Sequence, residues 1–257
     1  MATLRSLAVP IGVVAAVLLF LLVNPWITLD GVVSQVVTVA FWVSFILLLI
    51  SLFSLRDEPD AENIEVEGPA FTRFLFNNPR AGLFWLPIRL FVGFQWLEAG
   101  WHKVNDPAWV GADAGTAILG FWQNAVAIPE EGRPSITYEW YRTFLQFLID
   151  NDLQVPFSYA IAFGELFVGL GLLVGALTGI AAFFGALMNM SFLLAGSAST
   201  NPIMFTLAVG LMLAWKVAGY YGLDRYLLPL LGTPWKQKGG QQTPPREEPE
   251  AGATATG

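Results

Sequence analysis

The chain has 257 residues, is 55% hydrophobic, and carries a mean hydropathy of +0.57 and a net charge of −7. Several long apolar runs at this composition predict a polytopic membrane protein rather than a soluble domain. The absence of cysteine excludes disulfides, Cys-ligated iron–sulfur clusters, thiolate haem and CxxC redox pairs, and a single histidine excludes bis-histidine haem within the chain. No metal or haem is therefore predicted, and any redox chemistry must use a non-covalent small molecule or another subunit. The negative charge comes largely from one inter-helix loop and the C-terminal tail, which argues against nucleic acid as a partner.

Residues 6–26 form a first apolar run after a start that carries Arg5. The run resembles a signal peptide but is long, lacks a small-residue cleavage site, and ends at Asn24-Pro25 just before a second run at 32–55. It reads as a retained span. Residues 1–56 are thus expected to be an N-terminal transmembrane hairpin whose role is anchoring or packing. Residues 57–80 follow as an acidic linker, with Asp57, Glu58, Asp60, Glu62, Glu65 and Glu67 before Gly68-Pro69.

Residues 81–104 are apolar enough to enter a bilayer, yet contain Arg89, Gln95, Glu98, His102 and Lys103. Ionisable groups at membrane depth cost about 2.5–3.5 kcal/mol each on insertion scales, so a plain anchor would not contain so many. At 100° per residue Gln95, Glu98 and His102 share one face, while Arg89, Gly93, Trp96, Gly100 and Lys103 share the opposite one. Each polar edge needs a protein partner or water, which places this helix inside a bundle. Pro87 falls in its first turns, where a missing backbone donor is tolerated or makes a kink.

Residues 105–155 are too long for a simple connection. The stretch 114–127 suits an amphipathic helix capped by Asp113, and 135–150 suits another, with Tyr141, Phe144, Leu145 and Leu148 at helical spacing. Such aromatic helices lie at membrane interfaces. The insertion is either a lid or docking surface over the bundle mouth, or a cover that only packs.

Three further spans follow at 157–177, 179–196 and 202–221. The first holds Glu165 among glycines, and Gly171/Gly175 form a GxxxG pair suited to close helix approach. Lys216 sits near the end of the last span. Residues 224–257 read as a disordered Pro-, Gly-, Gln- and Glu-rich tail. The expected fold is therefore all-α integral membrane, a four-helix bundle (81–223) preceded by a two-helix hairpin, six spans in total.

Six spans put both termini on one side. Arg5, Arg56, Arg73, Arg80, Arg225, Lys236, Lys238 and Arg246 fall there, against Lys103, Arg133 and Arg142 on the other. This bias predicts cytoplasmic termini in the plasma membrane of a prokaryote, with the 105–155 insertion outside.

On this topology Glu98, His102 and Lys103 come out near the outer interface, Arg89 and Lys216 toward the inner side, and Glu165 near the midplane. Glu165 is then protonated, paired with a cation such as Arg89 or Lys216, or facing a wet cavity. One reading is a polar pocket in which Glu98 and Glu165 move protons, while Arg89, Lys103, His102 and Lys216 hold an anion or a quinone carbonyl. The other is a set of buried ion pairs that fixes helix register and does no chemistry.

The order Arg89…Gly93…Gly100-Trp101-His102-Lys103, then Glu165-Leu166-Phe167-Val168-Gly169…Gly175, resembles the signature of the DoxX family over roughly 81–221. The resemblance implies a four-helix membrane bundle. Its long insertion is more like the DoxD-type arrangement, the membrane subunit of thiosulfate:quinone oxidoreductase. That resemblance further implies oxidation of thiosulfate to tetrathionate with membrane quinone as electron acceptor, and marks Arg89, Gly100, Lys103, Glu165 and Gly175 as motif positions. It leaves room for a second membrane or periplasmic subunit, and the hairpin lies outside it. The alternative is a non-catalytic membrane module that anchors or assembles a partner redox protein. A small-solute transporter is the weaker third idea, because the spans show no inverted repeat or paired broken helices.

Overall fold

A computed structural model describes residues 7–23, 27, 29, 31–55 and 68–232, and all the secondary structure among them is helical. The acidic run 57–67, residues 233–257, and Arg5, Arg56, Lys236, Lys238 and Arg246 lie outside the described residues. The eleven α-helices are α1 (Ala8–Val23), α2 (Gly31–Leu55), α3 (Ala70–Asn77), α4 (Gly82–Val104), α5 (Thr116–Val126), α6 (Glu139–Asp150), α7 (Gln154–Val174), α8 (Thr178–Leu194), α9 (Asn201–Leu213), α10 (Trp215–Ala218) and α11 (Asp224–Leu230). Two stretches, Gly31–Ser51 and Gln154–Val174, are long and apolar enough to cross a membrane. Pro10–Leu22, Thr178–Leu194 and Asn201–Leu213 are apolar but shorter.

Helices α1 and α2 pack mainly on each other, and α2 also touches α6. The remaining helices gather around α4 and α7, the pair in most extensive contact. Their shared face follows from small residues. A Cβ on Gly100 would overlap the backbone of Glu165 and Leu166, and one on Gly169 would overlap Leu97. Gly93 meets Leu172 and Leu173 in the same way, so the two helices run antiparallel at backbone contact. The GxxxG expectation is corrected here. Gly171 faces Ala181 on α8, while Gly175, at φ +68, ends α7 in the left-handed conformation, so the two do not line one seam.

The main core holds Trp85, Val92, Trp96, Val168, Leu172, Met204, Leu211 and Val217, contributed by α4, α7, α9 and α10. A second core belongs to the insertion. Ile118, Trp122, Ile136, Tyr141, Leu145 and Leu148 close on Phe157 and Ile161 of α7 and on Leu194 of α8. The insertion therefore packs beside the first half of α7, beyond the point where α4 has ended. Asp113 does not cap α5 with its side chain; Gly115 at φ +95 precedes that helix, and the Asp113 carbonyl accepts from the Thr116 N–H and hydroxyl.

Two expectations of irregular chain are also corrected. Residues 70–77 of the linker are helical, tied to α4 by the Trp85 indole donating to the Leu75 carbonyl at 2.9 Å. The stretch 224–230, expected to belong to the tail, is helical and holds the buried Asp224. The last predicted span is interrupted at Ala214, where α9 gives way to the single turn of α10.

Candidate functional site

The face division read along 81–104 holds. Arg89, Gly93, Trp96 and Gly100 are buried against α7 and its neighbours, and Lys103 is half-buried at the same edge. Glu98 and His102 are exposed on the opposite side of α4. The structure therefore separates these two from the other candidates. Lys216 is also apart from them, exposed on α10 with its ammonium 5.9 Å from the Trp215 ring.

Arg89 and Lys103 stand four turns apart on α4 and meet the same neighbour at different heights, Arg89 at the C-terminal end of α7 and Lys103 near its middle. Arg89 is 1% exposed. Its Nη1 donates to the carbonyls of Leu172 (2.8 Å) and Leu173 (3.4 Å), and its Nη2 donates to the Tyr221 carbonyl at 3.1 Å. A cation thus sits at the C-terminus of α7, where the helix dipole and unmet carbonyls favour it. Gly175 is required beside it, because a Cβ there would overlap the guanidinium. Across the α7–α8 corner, fully buried Asp224 accepts from the Leu177 N–H (2.5 Å) and the Thr178 N–H (3.0 Å), and so caps the start of α8. Asp224 is also close enough for its charge to act on Arg89. These two charges clamp the corner.

Lys103 meets Glu165. The Nζ–Oε2 distance is 2.6 Å, with the lysine side chain 21% exposed and the glutamate 1%. Of the alternatives open for Glu165, the structure has the pairing with a cation, and that cation is Lys103 rather than Arg89 or Lys216, the difference being one of register. Gly100 lies on Leu166, so the end of α4 stands level with the middle of α7. The Lys103 ammonium also lies 5.1 Å from the ring of Trp109, and the Trp109 carbonyl accepts from Ser158 at 2.6 Å. The ion pair thus reaches the underside of the insertion.

Two residues join this level without having been singled out for chemistry. Contacts of Gly171 with Ala181, Gly185 with Val168 and Gly164 with Met188 run α8 antiparallel to α7. That register puts Asn189 within about 3 Å of the level of Glu165, on the buried face it shares with Gly185. Asn189 is 1% exposed and its Nδ2 has no acceptor. Trp96 is 4% exposed, its Nε1 lies against Gly185 one turn from Asn189, and it too has no acceptor. A buried donor left unmet costs about 1–3 kcal/mol. The sequence signal for Asn189 was there, a lone amide in an apolar helix. An amide carries no charge, so the cost of charge at membrane depth does not single it out.

Arg142, one of the outer-side cations, is committed to the insertion. Its Nη1 donates to the Val126 carbonyl (2.9 Å) and its Nη2 to the Ile136 carbonyl (3.0 Å), with Glu139 at 3.3 Å from Nε. An apolar groove of about 420 Å³ lies at the Arg89 end, lined by Leu177, Ile180, Phe183, Met212, Trp215 and Leu228, and includes none of the predicted site residues. Among the described residues no three His, Asp or Glu side chains group to hold a metal ion.

The fold and site define, among the described residues, an all-helical bundle organised on one antiparallel helix pair, with a charge clamp at one end, where Arg89 Nε and Thr178 Oγ1 lack partners, and an ion pair at the other, with the unmet donors of Trp96 and Asn189 near it. No protein-family model, curated protein or solved structure matches the chain.

Proposed function

We propose that the chain is a DoxX-like membrane protein of six spans, and that it serves as the membrane subunit of a quinone-linked oxidoreductase. The membrane reading is supported by the outward faces of its helices. Phe84, Phe91, Phe94 and Trp101 on α4, Phe167 and Leu170 on α7, and Ile180, Phe183, Phe184 and Leu187 on α8 are all exposed, a surface that suits lipid and not water. The DoxX reading is supported by the way its motif positions meet. Arg89, Gly100, Lys103, Glu165 and Gly175 all lie along the α4–α7 contact.

The observation that carries the oxidoreductase reading is the Lys103–Glu165 pair with two unmet donors beside it. In the proposed reaction two thiosulfate anions join through an S–S bond to give tetrathionate and release two electrons. A quinone takes those electrons and two protons to become quinol. Glu165 and Lys103 are the groups placed to pass protons, and the half-exposed Lys103 links them to the outer side. Among the described residues no His, Asp or Glu cluster could hold a metal ion, and in this reading the electrons pass directly or through a partner subunit.

A second reading, a non-catalytic module that anchors a partner redox protein, is favoured by Arg89, whose terminal nitrogens are taken up by carbonyls. Thiosulfate-dependent reduction of a quinone analogue by the purified protein in detergent separates the two. The oxidoreductase reading expects activity that Lys103→Met and Glu165→Gln abolish while helix content stays unchanged. Silence of the wild type, both alone and with co-purified proteins, would leave the anchoring module as the account.

A further inference from the structure

We infer that Asn189 and Trp96 are hydrogen-bond donors to a carbonyl oxygen of a neutral, lipid-soluble ligand bound beside the Lys103–Glu165 pair. The inference rests on the oxidoreductase reading and assigns the quinone ring, rather than the sulfur anion, to this site.

The argument begins with what the layer lacks. Three helices bring polar side chains to one stretch of the bundle, Lys103 from α4, Glu165 from α7 and Asn189 from α8, with Trp96 one turn away. Lys103 and Glu165 satisfy each other at 2.6 Å. Asn189 Nδ2 and Trp96 Nε1 are buried and have no acceptor, although buried donors in folded proteins are nearly always paired. What is missing is an acceptor oxygen.

Charge decides which acceptor. The ion pair sums to zero, so a bound thiosulfate would leave two uncompensated negative charges beside the apolar core to which Trp96 and Val168 belong. A carbonyl oxygen adds no charge and has two lone pairs, one for each donor. Its ring would lie beside a carboxyl–ammonium pair able to supply a proton once the ring is reduced. The partly exposed member of this layer is Lys103, 21% exposed and beneath Trp109.

The role also predicts a stability effect opposite to that of a structural amide. Replacing an unmet buried amide by an apolar side chain of similar volume removes a desolvation penalty, so the ligand-free protein should not lose stability. Full-length protein in nanodiscs of neutral phosphatidylcholine would be titrated with a short-chain ubiquinone analogue and, separately, with thiosulfate. Asn189→Leu should weaken quinone binding about tenfold, the loss of one hydrogen bond, and Trp96→Phe about threefold. The thermal midpoint of ligand-free Asn189→Leu should stay level or rise. The infrared carbonyl stretch of isotope-labelled analogue should be lowered on binding to wild type and lose that shift in Asn189→Leu.

Unchanged quinone affinity in Asn189→Leu would overturn the assignment while leaving thiosulfate–quinone activity of the wild type, and with it the catalytic reading, intact. A fall in midpoint that accounts for the lost affinity would make Asn189 structural and overturn it as well. Loss of thiosulfate affinity instead of quinone affinity would hand the layer to the anion. Failure of the wild type to bind the quinone would overturn both readings.

Discussion

The two ends of the α4–α7 contact use the same residue types differently. At one end Arg89 is surrounded by backbone carbonyls, with Gly175 and Asp224 completing the corner, and both its terminal nitrogens are engaged. At the other end Lys103 spends its charge on one buried carboxylate, remains partly exposed, and lies on the same level as donors that have no acceptor. A buried cation is a strut when the chain's own carbonyls surround it, and a candidate for chemistry when its surroundings are incomplete. By this criterion Arg89, whose terminal nitrogens are engaged although its Nε has no acceptor, belongs to folding, and the proposed chemistry rests on Lys103.

The sharpest way to break that distinction is to truncate the strut. Arg89→Ala leaves the terminal carbonyls of α7 without a donor and Asp224 without its nearby cation, and should cost about 3–5 kcal/mol in detergent unfolding titrations. If the variant instead unfolds like wild type and loses only activity, the two ends have been assigned the wrong way round.

The Lys103 end should respond more gently, and in a pattern of its own. Lys103→Met leaves Glu165 buried without a partner and should destabilise by roughly 2–3 kcal/mol. The double variant Lys103→Met/Glu165→Leu removes both charges and should recover most of that loss, to within about 1 kcal/mol of wild type. A double-mutant cycle followed by the same unfolding titration reads the difference. An additive result would mean that the pair makes no net contact. Gly100→Ala tests the seam between the two ends, where the added methyl must push α4 off the backbone of Glu165 and Leu166 at a cost of about 1–3 kcal/mol.

The helices themselves were legible in the sequence because apolar length and charge face are local properties. That Arg89 and Lys103 share one edge of α4 and Glu98 and His102 the other followed from 100° per residue alone, but which edge is buried did not, and Glu98 and His102 were expected in the site. The partner of Glu165 did not follow, because it depends on how far one helix slides along another. Glycine contacts set that register, here Gly100 and Gly169, and depth counted along single spans cannot reveal it. The short helices α3 and α11 were missed for a related reason. Each is held by a tertiary bond, Trp85 to Leu75 and Asp224 to the α8 N-terminus, and has too few turns for periodicity to declare itself. Asn189 was visible as a lone amide, but its lack of an acceptor is a property of three helices together.

The smallest effect is expected where the insertion holds α8 beside the polar level. The Tyr141 hydroxyl donates to the Ser191 carbonyl at 2.8 Å, two residues beyond Asn189, and burial pushes its pKa up from the ordinary 10 to about 12. The sign follows from linkage. The folded state holds the phenol proton more tightly than the unfolded chain, so this stability is complete below pH ~10 and is lost as pH rises through about 12. Wild type should lose roughly 1 kcal/mol between about pH 9 and pH 11 relative to Tyr141→Phe, whose own cost at neutral pH is the single hydrogen bond, also about 1 kcal/mol. Parallel pH profiles would show wild type falling toward the variant. If Tyr141→Phe also weakened quinone binding at neutral pH, the insertion would be doing more than packing, because the bond would then be holding α8 in the register that presents Asn189 to the ligand.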